Sequence, residues 1–223
     1  ILMLRAARFR PVAEPAVTLE KPALDQDKSV DDLAAMIRCR TISDRDASQI
    51  DWMAYEQFHE LLRMRFPAVQ QACTVEKIGR TGILYRWPGQ AGGQPAVLMA
   101  HYDVVPIEER GWTRPAFAGL IENGEIWGRG ALDTKGTLCG ILEAAEWLIR
   151  NGFIPGQDIY FSFSGEEEID GGTCADIVAE LERRGVKPAL VLDEGGAVVV
   201  KAFPGVKVPC AMADATTLTE AGY

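Results

Sequence analysis

Apolar positions recur along this chain with two periods, and the change of period marks its elements. From Ser29 onward, Leu33, Met36 and Ile37 fall on one helical face, with Ser29 as the expected cap and Asp32 three residues on. A second helix is expected over about 46–65, where Trp52, Tyr55, Phe58 and Leu62 recur every three or four residues. Strands are expected near 73–78 and 82–87. A Gly/Pro-rich turn through Pro88–Pro95 follows, then the short apolar run Ala96–Ala100, which ends at His101. Leu120-Ile121 and Ile126-Trp127 flank Asn123-Gly124, the residue pair best suited to a tight hairpin turn. Over 134–150, Leu138, Ile141, Leu142, Ala145, Leu148 and Ile149 make a helical stripe that stops at Asn151-Gly152. Ile159–Ser164 reads as a strand, 172–184 as a helix with Ile177, Val178 and Leu181 inward, and Ala189–Leu192 as a buried strand. Strands alternating with helices predict an α/β fold, with a mostly parallel central sheet covered by helices on both faces.

Residues 1–28 do not follow this pattern. Ile1-Leu2-Met3-Leu4 and several arginines lead into Pro11, Pro15 and Pro22, which predicts a linker or the remnant of an anchor ahead of a domain over 29–223. A cytoplasmic location is expected, with a membrane-anchored or exported protein as the alternative if this end is a clipped anchor. The 223 residues carry Lys+Arg 23 against Asp+Glu 32, a net charge of −9. The basic residues are scattered, so nucleic acid is not an expected partner. No apolar run reaches the roughly 18–20 residues that span a bilayer. Hydrophobic residues at 48% and charged residues at 25% can build a core, which excludes wholesale disorder.

Candidate chemistry is narrowed by what is scarce. Cys39, Cys73, Cys139, Cys174 and Cys210 are an odd, widely spaced set without a CxxC, so neither a disulfide framework nor a thiolate zinc site is expected. Cys39, Cys139 and Cys174 fall in helical patterns and read as buried thiols. The histidines are His59, expected half-exposed on its helix, and His101. Gly128-Arg129-Gly130 starts like a dinucleotide fingerprint, but Asp133 stands at the third glycine position. GxxxxGK[ST] and GxSxG are both absent.

Acids, by contrast, collect at strand ends. His101 and Asp103 follow one apolar strand, Glu166-Glu167-Glu168 a second, and Asp193-Glu194 a third, while Asp133 precedes a helix. Ligands of open α/β sheets bind beyond the carboxyl ends of the strands. Carboxylates crowded there repel and partly protonate unless a cation is present. One histidine among several carboxylates is a ligand set for Zn²⁺, Mn²⁺ or Co²⁺. Asp103, two residues from His101 on an extended chain, is placed to accept from one imidazole nitrogen while the other faces a metal. Asp133 is placed to bridge a metal pair about 3.5–4 Å apart, which can hold a hydroxide nucleophile and polarise a carbonyl. A neighbouring glutamate outside the ligand set can then take the proton.

These residues resemble the M20 metallopeptidases, which include carboxypeptidases of the S and G2 types, aminoacylase-1 and N-acyl-amino-acid hydrolases. The resemblance rests on Leu98–Pro106 around His101 and Asp103, on Trp112, Pro115 and Phe117, on Gly128–Gly136, on Glu166–Gly172 and on Leu192–Gly196. It implies a zinc-exopeptidase-type catalytic domain with two Zn²⁺ ions, or Co²⁺ or Mn²⁺. It further implies that His101 binds one metal, Asp103 orients it, Asp133 bridges, Glu167 is the general base and Glu168 binds the second metal. The remaining carboxylate is Asp193, with Glu194 as the alternative. The activity implied is hydrolysis of an amide bond beside a free carboxylate, in a small peptide or an N-acyl amino acid, with peptidase and deacylase both open. Two departures stand out. The family usually reads Asp-Glu-Glu where Glu166-Glu167-Glu168 stands, and residues 201–223 contain no histidine for the family's last ligand. The chain is therefore expected to be the N-terminal part of the enzyme, truncated before a lid that serves dimerisation in the family, and a catalytically incomplete remnant is the alternative.

Overall fold

A computed structural model describes residues 22–195, 197–200, 205 and 208–212. Expectations for residues 1–21, for most of 201–207 and for 213–223 lie outside the described residues. Helix α1 (Gln26–Arg38) is capped by Asp25, whose side chain accepts from Lys28 N at 3.0 Å, so it starts ahead of the expected Ser29. Helix α2 (Trp52–Arg65) starts later than expected, at the cap Asp51. The reason lies in the preceding segment: Asp44 accepts from Asp46 N at 2.8 Å and Asp46 from Ser48 N at 3.0 Å. Such local side-chain bonds offer the backbone a turn instead of a helix. Helix α3 (Pro67–Ala72) has proline in its first turn and is too short to show a period; it was not foreseen.

The remaining elements follow in order: β1 (Thr74–Ile78), β2 (Gly82–Trp87), β3 (Ala96–His101), the hairpin β4 (Leu120–Glu122) and β5 (Glu125–Trp127), α4 (Lys135–Arg150), β6 (Ile159–Ser164), α5 (Thr173–Arg183), β7 (Leu190–Leu192), β8 (Ala197–Val199) and β9 (Cys210–Met212). The main sheet runs β1-β2-β6-β3-β7. It is mixed: β1–β2 and β2–β6 are antiparallel, β6–β3 and β3–β7 parallel. A turn as short as Gly79–Thr81 can join only antiparallel neighbours, which accounts for the first pairing. The parallel trio matters for function, because its carboxyl ends open on the same edge.

Period-two alternation splits the strand residues between two cores. Tyr85, Phe161 and Phe163 pack with Phe58, Leu62, Leu138 and Leu142 on the side of α1–α4. Leu84, Val97 and Tyr160 pack with Ile177 and Leu181 of α5 on the other. The expectation of a buried strand at Ala189–Leu192 is corrected here. Leu190, Val191 and Leu192 are 54%, 50% and 59% exposed. β7 gains a neighbour only at β3, and among the described residues nothing pairs with its other edge. The thiols also differ from expectation, since Cys139 is buried but Cys39 and Cys174 are half-buried. No helix among the described residues is long and apolar enough to cross a membrane.

Candidate metal centre

His101 closes β3, in register with Ser164 of β6. Its backbone is held by the residue after Asp133: Thr134 Oγ1 accepts from His101 N at 2.9 Å and donates to His101 O at 2.8 Å. This two-way bond brings Asp133, 32 residues downstream, to the imidazole. Lys135 follows on, wholly buried. It donates from Nζ to Met36 O at 3.1 Å and Cys39 O at 2.7 Å, tying the start of α4 to the end of α1. Burial pulls its pKa down to about 7. The Asp133–Thr134 peptide bond is cis.

Around the imidazole the acids divide by nitrogen. Nδ1 lies 3.1 Å from Asp103 O and 3.4 Å from Asp103 Oδ1. Nε2 lies 2.9 Å from Asp133 Oδ1, 3.4 Å from Glu194 Oε1 and 3.7 Å from Glu167 Oε2. The closer partner of Nδ1 is thus the Asp103 backbone carbonyl, and the Asp103 carboxylate beside it has two further partners. It accepts from Glu167 N at 3.1 Å and Glu168 N at 3.2 Å, and so fixes the turn Glu167–Ile169. Of the two adjacent acids left open, Glu194 is the one beside His101, while Asp193 Oδ1 accepts from Glu194 N at 2.8 Å. Glu168 sits half-buried on the same turn as Glu167.

The electrostatics record the crowding. Burial works to lower the His101 pKa, but the Asp103 hydrogen bond and the fields of Asp103, Glu194 and Glu167 outweigh it and push it up to about 9. Burial, then neighbouring carboxylates against the opposing pull of His101, raises Glu167, Glu168 and Glu194 above the usual carboxylate range. Apart from the imidazole, such a set lacks positive charge. One ligand atom each from His101, Asp133 and Glu194 lies within 4.8 Å of the others. An imidazole nitrogen and two carboxylate oxygens, converging with a surplus of negative charge, fit a divalent cation. A sizeable concavity lies elsewhere: an apolar trough of about 480 Å³ lined by Val97, Met99, Ile177, Leu181, Val186 and Val191. None of the converging acids lines it, so chemistry and not volume locates the site.

His59 is less bland than its sequence reading. Its side chain is 18% exposed, and Nε2 lies 2.8 Å from Tyr102 Oη. Tyr102 stacks on Phe58 with ring centroids 4.6 Å apart. One signal was available: the residue between His101 and Asp103 must point away from them on an extended chain, and a buried tyrosine hydroxyl needs a partner. Thr134 and Lys135 carried no comparable signal.

Residues 97–211 match Peptidase family M20/M25/M40. The chain is 33% identical over 224 residues to a probable carboxypeptidase S-like protein of Dictyostelium discoideum, covering 95% of this chain and 43% of that protein. It is 38% identical over 167 residues to the N-fatty-acyl-amino acid synthase/hydrolase of Mus musculus, covering 73% of this chain and 33% of that one. The chain therefore spans less than half the length of these relatives. In fold it is similar to an M20 family metallo-carboxypeptidase of Sulfolobus solfataricus, with a TM-score of 0.62 at 24% identity over 76% of this chain and 38% of that one. The acid-lined edge of the parallel strands and a family match over more than half the chain lead to one conclusion: this chain belongs to the M20 metallopeptidase family.

Proposed function

We propose that this chain carries the metal-binding catalytic portion of a hydrolase that cleaves an amide bond beside a free carboxylate, in a small peptide or an N-acyl amino acid. One observation carries the reading: His101, Asp133, Glu167 and Glu194, from four separate segments, meet at one imidazole nitrogen. In this reading His101, Asp133 and Glu194 hold a divalent ion, Zn²⁺ first and Co²⁺ or Mn²⁺ as substitutes. Asp133 and Glu168 are the candidates for a second ion. Distance favours Glu194 over Asp193. Once bound, the ion supplies Lewis acidity, polarising a carbonyl and lowering the pKa of water.

The protein's own residues do the rest. Glu167 takes a proton from the attacking water on a carboxylate oxygen and returns it to the leaving amine. Its raised pKa suits a base that must also act as an acid. Asp103 keeps the imidazole oriented and holds the Glu167 turn at working distance. The names of the two relatives support the substrate class, since both describe amide bonds next to a carboxylate.

The test pairs metal content with hydrolysis of free-carboxylate dipeptides, N-acyl amino acids and their carboxamide analogues. Hydrolysis of the free acids and not the carboxamides supports the reading. Equal hydrolysis of both sinks the carboxylate requirement. Metal uptake without turnover favours the second reading, a fold that binds metal but lacks a catalytic part, which the single histidine at the cluster suggests. Asp193→Asn and Glu194→Gln decide the ligand: whichever lowers metal content holds the ion.

A further inference from the structure

Behind the Glu167–Ile169 turn lies a set of polar contacts that the reaction does not use. Thr173 Oγ1 donates to Glu166 Oε2. Thr81 Oγ1 lies 3.3 Å from the same oxygen and 2.8 Å from Thr173 Oγ1. Both threonines are buried, at 0% and 2% exposure. Thr81 belongs to the β1–β2 turn and Thr173 opens α5, so the Glu166 carboxylate joins two elements on either side of the turn. Its carbonyl closes the turn by accepting from Gly171 N at 2.8 Å. Packing leaves no slack: a Cβ on Gly171 would stand 2.4 Å from Glu166 Cβ, and one on Gly165 2.6 Å from Tyr102 Oη. Tyr102 Oη in turn donates to Thr81 O.

We propose that Glu166 is a positioning residue: anchored by the Thr81 and Thr173 hydroxyls, it fixes the backbone that carries Glu167 to the cluster, with Glu168 next to it on the same turn. Asp103 holds that turn from the front through the Glu167 and Glu168 amides, and Glu166 holds it from behind. Neither tie alone sets the direction of both side chains, because a turn bonded on one side can still pivot about it. A side chain that accepts hydrogen bonds from two buried hydroxyls has little freedom to move. The proposal rests on the reading of Glu167 as base and of this cluster as a metal site.

The test compares Glu166→Ala, Glu166→Gln and Thr173→Val in the full chain. Co²⁺ is titrated by its visible absorption, and hydrolysis of an N-acyl amino acid is measured beside it. Glu166→Ala is expected to weaken Co²⁺ binding and to lower kcat, each by about 10–100-fold, the usual cost of losing support behind a metal site, with KM within about twofold. Its Co²⁺ band should change in shape, which a uniform loss of stability does not produce. Glu166→Gln keeps an oxygen that accepts from the threonines and should stay within about threefold of the parent. Thr173→Val should follow Glu166→Ala in direction, and it decides the matter if Glu166→Ala does not fold. Parent-like Co²⁺ binding and kcat in Glu166→Ala overturn the proposal, as does a Glu166→Gln variant as impaired as Glu166→Ala. If the parent itself neither binds Co²⁺ nor hydrolyses an amide, the proposed function falls and this proposal falls with it. If the parent does both while the variants match it, only the role of Glu166 is lost.

Discussion

The cluster has two halves built differently. His101 and Asp103 are 2% and 0% exposed, whereas the Asp133 and Glu167 side chains are 64% and 50% exposed. The buried half is fixed by the fold: Thr134 holds the His101 backbone in both directions, and Asp103 is bonded to two amides of the Glu167 turn. In the open half the backbone is held but the Asp133 and Glu167 carboxylates themselves face little besides the His101 imidazole. On the proposed function, the buried half sets where a cation goes, and the open half stays accessible to the substrate and does the proton transfer. Loss of a buried member should cost stability as well as function. Loss of an open member should cost function alone.

The largest effect tests the open half. Glu167→Gln should lower turnover by about 10²–10⁴-fold while metal content and Tm stay at parent values. Metal lost along with turnover would make Glu167 a ligand and not a base. The next tests the buried half. Asp103→Ala should weaken metal binding by about 10–100-fold and also lower stability by about 1–3 kcal/mol, because two amides of the turn lose their acceptor. Denaturant midpoints and a metal titration on the same samples check both, and an unchanged midpoint would erase the contrast between the halves. Thr134→Val keeps the shape but removes both bonds to the His101 backbone. A loss of about 1–3 kcal/mol is expected, with metal affinity falling in parallel, measured in the same way. The smallest effect lies outside the site. Val191→Thr on β7 should change stability by no more than about 0.5 kcal/mol, since the side chain is already half exposed. A larger loss would mean that β7 is covered in solution.

Much of the architecture was legible in the sequence because it repeats. Ile159–Ser164 matches its strand residue for residue, and the Asn123-Gly124 hairpin and the helix ending at Arg150 fall where periodicity puts them. Helix starts were less legible, because Asp25 and Asp51 compete as caps with other short polar residues nearby. The burial of Leu190–Leu192 was misread because an apolar run reports what a strand would cover and not whether a partner is there to cover it. At the site, the residue types and their place after strands were visible in the chain. The sheet order that lets the strand ends meet was not.

The sequence by itself determined the chemistry available to this protein. It offers one imidazole at a strand end, His101, together with a set of acids at strand ends, and little that would serve another mechanism. Tertiary structure alone decided which of two adjacent acids, Asp193 or Glu194, stands beside His101, that Thr134 and Lys135 seat Asp133, and that Glu166 is spent on two threonines. The reason is physical. Residue type and local period depend on neighbours along the chain, whereas the direction of a side chain at a turn depends on which distant segment supplies its hydrogen-bond partner.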